Sequence, residues 1–531
     1  MKKGAFFLLA LLIGGCGDQS EKIRPVDEAI QNRILIRGNG VEPESLDPHL
    51  ATSVSAGNVL INLFEGLTRL NSATLEPEPA MAESWTVSED GLQVELHLRE
   101  ATWSDGRAVT ADDFAFAFKR LLTPELGASY AFMLFPLRNA QAISTGEVSV
   151  DQLGVEVIND KTLRLYLEKP TPYLFSLLAH WTAFPLPQHV LTKFGNERSR
   201  GGEWTRPENL VVNGAFFVEK WLDEDRIELT KNPTYWQADQ VVLNGAVFIP
   251  FSDAGSEERA FRAGELHVTY TLPRHRLQFY QEDKPEVLRV DTYLESVGYA
   301  VNLQHQALKD LRVRKALSLA LDRSIITEKI LYGVRKPAFT YVPPGTGGFS
   351  SSSSLSENVE EAKKLLAEAG FEDGEGFPEV IFIYPSGQDS QRVAEVIQQQ
   401  WQQTLGIRIE IDNLERQTYF SRRRERDFDL CYFGWVGDYV DPTTFLGLWV
   451  SEAGNNLAGW QNLEYDSLMV QAANAGDARL AMLAEAEALL LDELPIIPLY
   501  FGATQYLKDP RVKGWDANLL DAHPLRAVSF Q

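Results

Sequence analysis

The stretch that most narrows the fold lies between residues 380 and 411, where an apolar run (380–384), an amphipathic helical stretch (392–405) and a second apolar run (407–411) follow one another. Strand, helix and strand in that order predict a βαβ unit, because a helix-length crossover is what returns a chain parallel to itself. Such crossovers are right-handed and put helices over the sheet. Residues 427–449, DFDLCYFGWVGDYVDPTTFLGLW, then predict a further buried strand through Phe428, Leu430, Tyr432 and Phe433, a turn at Pro442 and an apolar helical run. Earlier in the chain the period changes. QVELHL at 93–98 and TLRLYL at 162–167 alternate apolar with polar residues, as half-buried antiparallel strands do. Two kinds of sheet imply more than one domain, and 531 residues are too many for one core.

Composition removes several functional classes. With 44% hydrophobic and 23% charged residues the chain is globular, not a disordered scaffold. Its 74 acidic against 50 basic side chains leave a net charge of −24, which repels phosphate backbones and argues against nucleic-acid binding. There is no Walker A loop, no GxSxG elbow, no HExxH and no CxxC, and the eight histidines are scattered singly, so no metal, cofactor or catalytic residue is expected. Gly38-Asn39-Gly40 is followed by Glu42-Pro43 where a dinucleotide site needs a third glycine and a helix start.

The first twenty residues, MKKGAFFLLALLIGGCGDQS, read as an export signal: Lys2 and Lys3 precede an apolar core at residues 5–13. That core is far shorter than the about 20 residues that cross a bilayer. Ile13-Gly14-Gly15-Cys16 is similar to the bacterial lipoprotein cleavage box, which predicts a lipid on Cys16 and residues 17–32 as a flexible tether. The expected location is extracytoplasmic, on the periplasmic side, anchored to a membrane. With Cys16 lipidated, Cys431 has no partner and no disulfide is expected.

Local signals place several elements. Thr110 to Asp113 forms a capping-box start for a helix, residues 358–369 a helix stopped by Gly370, and residues 478–494 an amphipathic helix before a closing strand LPIIPLYF. Asp441 beside Pro442 suits a helix cap or Asx-turn. Asp438, three residues earlier, is open to the same reading. A carboxylate set between aromatics just past a buried strand is either hydrogen-bonded within the chain or awaits a cation from outside.

Taken in order, ESLDPHLA, LFEGL, PAMAESW, TWSDGRAVTADDF, NGAF, NPTYW, LRVRKALSLALDR, YVPPGT, EEAKKLLAEAGF and GDYVDPTTFL span nearly the whole chain after the signal. This pattern resembles the oligopeptide-binding lipoproteins of the peptide-transport family of ABC-importer solute-binding proteins. The resemblance implies an α/β, two-lobed periplasmic-binding-protein-like fold with an extra inserted domain and a hinge-closing cleft. Lobe I would take residues 33–64, 190–294 and 501–531, the inserted domain 65–189 and lobe II 295–500. It further implies an extended peptide held between strand-like edges, Ser53, Val54 and Ser55 on one side and Gly434, Trp435 and Val436 on the other. Asp438 would pair with the peptide's α-ammonium, Tyr130 would cover that end and Arg423 would meet a carboxylate. Ser318, Ser390 and Tyr432 stand where the family has further basic groups, and Glu295 and Val436 stand in place of its cysteine pair, so packing is expected to set the geometry there. The implied partners are a peptide, an inner-membrane ABC permease and a membrane reached through the lipid, with the chain a monomer. Murein peptides, a non-peptide cargo or a secreted hydrolase are the alternatives.

Overall fold

Apolar runs of two periodicities build three main sheets in the computed structural model, which describes residues 23–195 and 197–531. The largest has six strands in the order Lys336–Pro337, Ile496–Leu507, Leu288–Val301, Leu430–Val436, Ile381–Pro385, Glu410–Leu414. The expected βαβ unit is present: Ile381–Pro385 runs parallel to Glu410–Leu414, and the helix Gln388–Leu405 joins them. Gly406 ends the helix at φ +70° where expected, but the second strand starts three residues later than the pattern predicts, with the Glu410 N–H donating to the Val380 carbonyl at 2.8 Å. Side-chain alternation divides this sheet between two cores. Leu430 packs with Val297, Tyr299 and the helix Gln388–Leu405 on one face, while Cys431 and Phe433 pack with Trp449 and the helix Arg479–Glu493 on the other.

The first half folds as alternation predicts. Ala82–Val87, Gln93–Leu98, Thr162–Tyr166 and Val155–Asn159 form a four-stranded antiparallel sheet. Another four-stranded sheet joins Ile34–Gly38, Gly245–Ile249, Arg226–Lys231 and Phe216–Leu222. These two sheets share a single hydrophobic core. The helix Ala111–Leu121 has the predicted capping box, and buries Phe114 and Phe118 fully.

Two long strands, Leu288–Val301 and Ile496–Leu507, connect the bodies. Their ladder is broken between Thr292 and Ser296. Below the break Leu507 exchanges hydrogen bonds with Thr269 of the first body, and above it Ser296 and Val297 pair with Trp435 and Gly434. An interrupted ladder bends more easily than a continuous one, which makes residues 293–295 the natural hinge. The expected boundaries at 294/295 and 500/501 therefore fall inside continuous strands, and that at 189/190 inside the helix Gln188–Phe194.

The expected tether is corrected at its C-terminal end. Pro25–Gln31 is a helix that buries Val26 and Ala29, and the Val26 carbonyl accepts from His267 Nε2 at 3.1 Å. The signal segment and Cys16 lie outside the described residues.

Candidate ligand-binding site

The short turn after strand Leu430–Val436 sets up the site. Gly437 donates its N–H to the Leu294 carbonyl at 2.7 Å, and a Cβ there would stand 2.6 Å from the Leu294 side chain, so glycine allows the chain to cross the hinge strand closely. Asp438 follows, its N–H donating to Thr444 Oγ1 at 3.1 Å. Asp441 does the local work: it accepts from the Thr443 N–H at 3.0 Å and from Arg479 at 2.7 Å. The nearby arginine is thus engaged by Asp441, and among the described residues no hydrogen-bond donor or cation meets the Asp438 carboxylate. Burial alone pushes that carboxyl up to about 6.

Asp438 opens into a cavity of about 520 Å³ between the two bodies. From the second body come Trp435, Val436 and Tyr439; from the first come Val54, Tyr130 and Trp181, with Tyr293 at the hinge. Tyr130, Phe132, His180 and Trp181 form one aromatic group, with ring centroids 3.8 to 6.2 Å apart. Burial lowers His180 to about 3, so it is neutral, and burial raises the phenols of Tyr130 and Tyr293. The charges in the lining are therefore two carboxylates, Asp438 and Asp521, and the described lining contains no lysine or arginine. Such a hollow favours a cationic guest.

Strand Leu430–Val436 is paired along its whole length on one side by Leu288–Val301. On the other side Ile381–Pro385 pairs only Leu430 and Cys431. From residue 433 to residue 436 this edge has no strand neighbour among the described residues. An unpaired edge beside a cavity is where an extended guest can add itself as a strand.

A family model described as "Bacterial extracellular solute-binding proteins, family 5 Middle" matches residues 76–456. The chain belongs to that family. The periplasmic oligopeptide-binding protein OppA of Salmonella typhimurium is 34% identical over 520 residues, 96% of this chain and 94% of that protein. Among solved structures, the unliganded open form of the periplasmic murein tripeptide binding protein MppA shares 32% identity with a TM-score of 0.84, covering 94% of this chain and 98% of the other. Haemophilus influenzae OppA in complex with RPPGFSPFR shares 32% identity with a TM-score of 0.76, covering 94% and 99%. The two bodies are thus the lobes of a family-5 solute-binding fold.

Within this solute-binding protein, Asp438, Trp435, Val436, Val54 and Tyr130 share the cavity, and Gly434 lies on the open strand edge beside it. The edge expected at Ser53–Ser55 is corrected. Extended backbone stops at Ser53, which caps the helix Val54–Leu63 by accepting from the Ala56 N–H, because Glu44 takes the Ser53 N–H at 2.8 Å. Ser55 is buried and gives its carbonyl to Asn39; Val54 presents its exposed side chain to the cavity. Arg423 lies away from the cavity lining, its guanidinium 4.6 Å from the Phe433 ring centroid, and Arg422 pairs with Asp412 and Asp427. Packing is not the sole support beside Val436: Glu295 is its direct partner in the ladder and takes Arg335 at 2.5 Å.

Most of the quoted motifs turn out to fasten the fold. Asp47 of SLDPH forms a bidentate, fully buried pair with Arg120 at 2.7 and 3.0 Å. Glu65 of LFEGL accepts from Tyr235 and Trp236 of NPTYW, and its backbone is clasped by Asn213 of NGAF. Glu487 accepts from the Tyr341 and Val342 N–H groups of YVPPGT. Sequence reasoning missed Trp181, Tyr293 and Asp521 as lining residues. Tyr439, one residue past Asp438, was within its reach; the others are brought in by tertiary contacts.

Proposed function

We propose that this protein captures an extended peptide outside the cytoplasm and passes it to an inner-membrane ABC permease, held at the membrane by a lipid on Cys16 and acting without chemistry on its cargo. Lobe I, the inserted domain and lobe II close around the peptide by bending at residues 293–295. Asp438 takes the α-ammonium, the open edge at Gly434, Trp435 and Val436 pairs with the peptide main chain, and Tyr130 covers the amino end. Main-chain pairing serves many sequences, because every peptide offers the same groups. The observation that carries this reading is Asp438 itself, a carboxylate that among the described residues has no partner and shares its cavity lining with no lysine or arginine. An ammonium shut away from water needs an opposite charge, and this one is waiting.

The test is titration calorimetry with a tripeptide and its N-acetylated form. The free peptide is expected to bind at least tenfold more tightly. Equal affinity would remove Asp438 from its role, and native mass spectrometry of protein from its own cells would then name the cargo. Murein peptides are one cargo that such a spectrum would separate from other oligopeptides.

A further inference from the structure

The cavity holds a second carboxylate that an α-ammonium engaged by Asp438 leaves over. Asp521 lines the same cavity as Asp438, on a C-terminal segment tied to the first body by Asn518 to the Ser72 carbonyl and by the Leu525 N–H to Asn62. Its backbone sits in the left-handed region at φ +50°, a conformation that a non-glycine residue adopts when its surroundings impose it. Those surroundings are Asn518, which accepts the Asp521 N–H at 3.1 Å and is itself fixed by the Ser72 and Ala522 carbonyls. One Asp521 oxygen accepts from His523 Nε2 at 2.9 Å; the other has no protein donor among the described residues. Tyr130, Tyr293 and Trp181 line the same space, aromatic rings of the kind whose faces attract a cation.

We propose that the preferred cargo carries two positive charges at its leading residue: an α-ammonium on Asp438 and a side-chain cation, that of lysine, ornithine or arginine, on Asp521. The inference rests on the peptide reading above and narrows it to a class of peptide. His523 and the charge of buried Arg37 meet only part of the Asp521 carboxylate, so a neutral first side chain would leave its second oxygen without a donor when the lobes close, and the charge is read in the closed state. Because the two carboxylates belong to different lobes, one dicationic residue bridges them and couples recognition to closure.

Calorimetry on the full protein with Lys-Ala-Ala and norleucyl-Ala-Ala, which match in length and differ in the terminal amine, tests this without any variant. The lysyl peptide is expected to bind at least tenfold more tightly, and the two are expected to bind Asp521→Asn within a factor of two of each other. Equal binding of the two peptides to the unaltered protein, or full discrimination retained in Asp521→Asn, would overturn the inference and leave peptide capture standing. If 1,5-diaminopentane bound as tightly as Lys-Ala-Ala, the two carboxylates would form a diamine site and the inference would fall. If neither peptide bound, the peptide reading would fail with it.

Discussion

Asp438 shows how function and stability oppose each other within one side chain. Its carboxyl is raised from the usual 3.8 to about 6 by burial, so its ionised form opposes folding. That cost is absent below about pH 4, grows between pH 4 and 6, and is constant above 6. Asp438→Asn is therefore expected to stabilise the empty protein by about 3 kcal/mol at pH 7 and to give no gain at pH 4, as urea unfolding at the two pH values will read. The same residue should govern binding in the opposite sense. Peptide affinity should weaken as pH falls through 6, because a protonated carboxyl no longer attracts an ammonium. Asp438→Ala should cost about 2–5 kcal/mol of binding at pH 7 by calorimetry, as loss of one partner of a buried charge pair does.

Elements decide where such a residue can act. Strand Leu430–Val436 is a core strand at Leu430 and Cys431, with neighbours on both sides, and an open edge from residue 433 to residue 436. Gly434 marks the change. A Cβ there meets nothing closer than 3.4 Å, so the fold tolerates a side chain, while a guest strand needs the space. Gly434→Val is expected to keep its unfolding transition while losing at least tenfold in peptide affinity, about 1.4 kcal/mol or more. The opposite behaviour belongs to Asp47, which lies outside the lining of the cavity that Asp438 enters. Its buried pair with Arg120 ties the loop before helix Val54–Leu63 to helix Ala111–Leu121. Asp47→Ala leaves Arg120 with a lost carboxylate in a dry site and should cost about 3–5 kcal/mol of stability, measured by urea unfolding.

At the scale of the whole molecule, the lobes touch beyond the hinge. Tyr173 of the first body stacks on Tyr439 of the second, with ring centroids 4.7 Å apart and planes within 8°, and Arg274 pairs with Asp389 across the same divide. Aromatic pairs of this geometry contribute about 0.5–1.5 kcal/mol, comparable to the differences that set a two-state lobe equilibrium. Tyr173→Ala should therefore enlarge the empty protein in small-angle scattering and weaken peptide binding about two- to tenfold, although Tyr173 itself lies outside the cavity lining.

Sequence by itself determined what is local and periodic: the βαβ unit expected at 380–411, the antiparallel strands at 93–98 and 162–167, the capping box at Thr110, the helix ended by Gly370, and the position of Asp438 past a buried strand. Those follow from neighbours in the chain, since periodicity and capping chemistry act over a few residues. It misjudged Ser53–Ser55, where Glu44, nine residues away, captures the Ser53 N–H and lets a helix begin. It also placed Arg423 in the groove, whereas a contact with Phe433 holds it elsewhere. Tertiary structure decided which carboxylates remain unpaired. Asp441 and Asp438 stand in one turn and Asp47 within SLDPH, and only the arrival of Arg120 at Asp47 and of Arg479 at Asp441 from distant helices separates the two that fasten the fold from Asp438, which faces a cavity whose described lining contains no lysine or arginine.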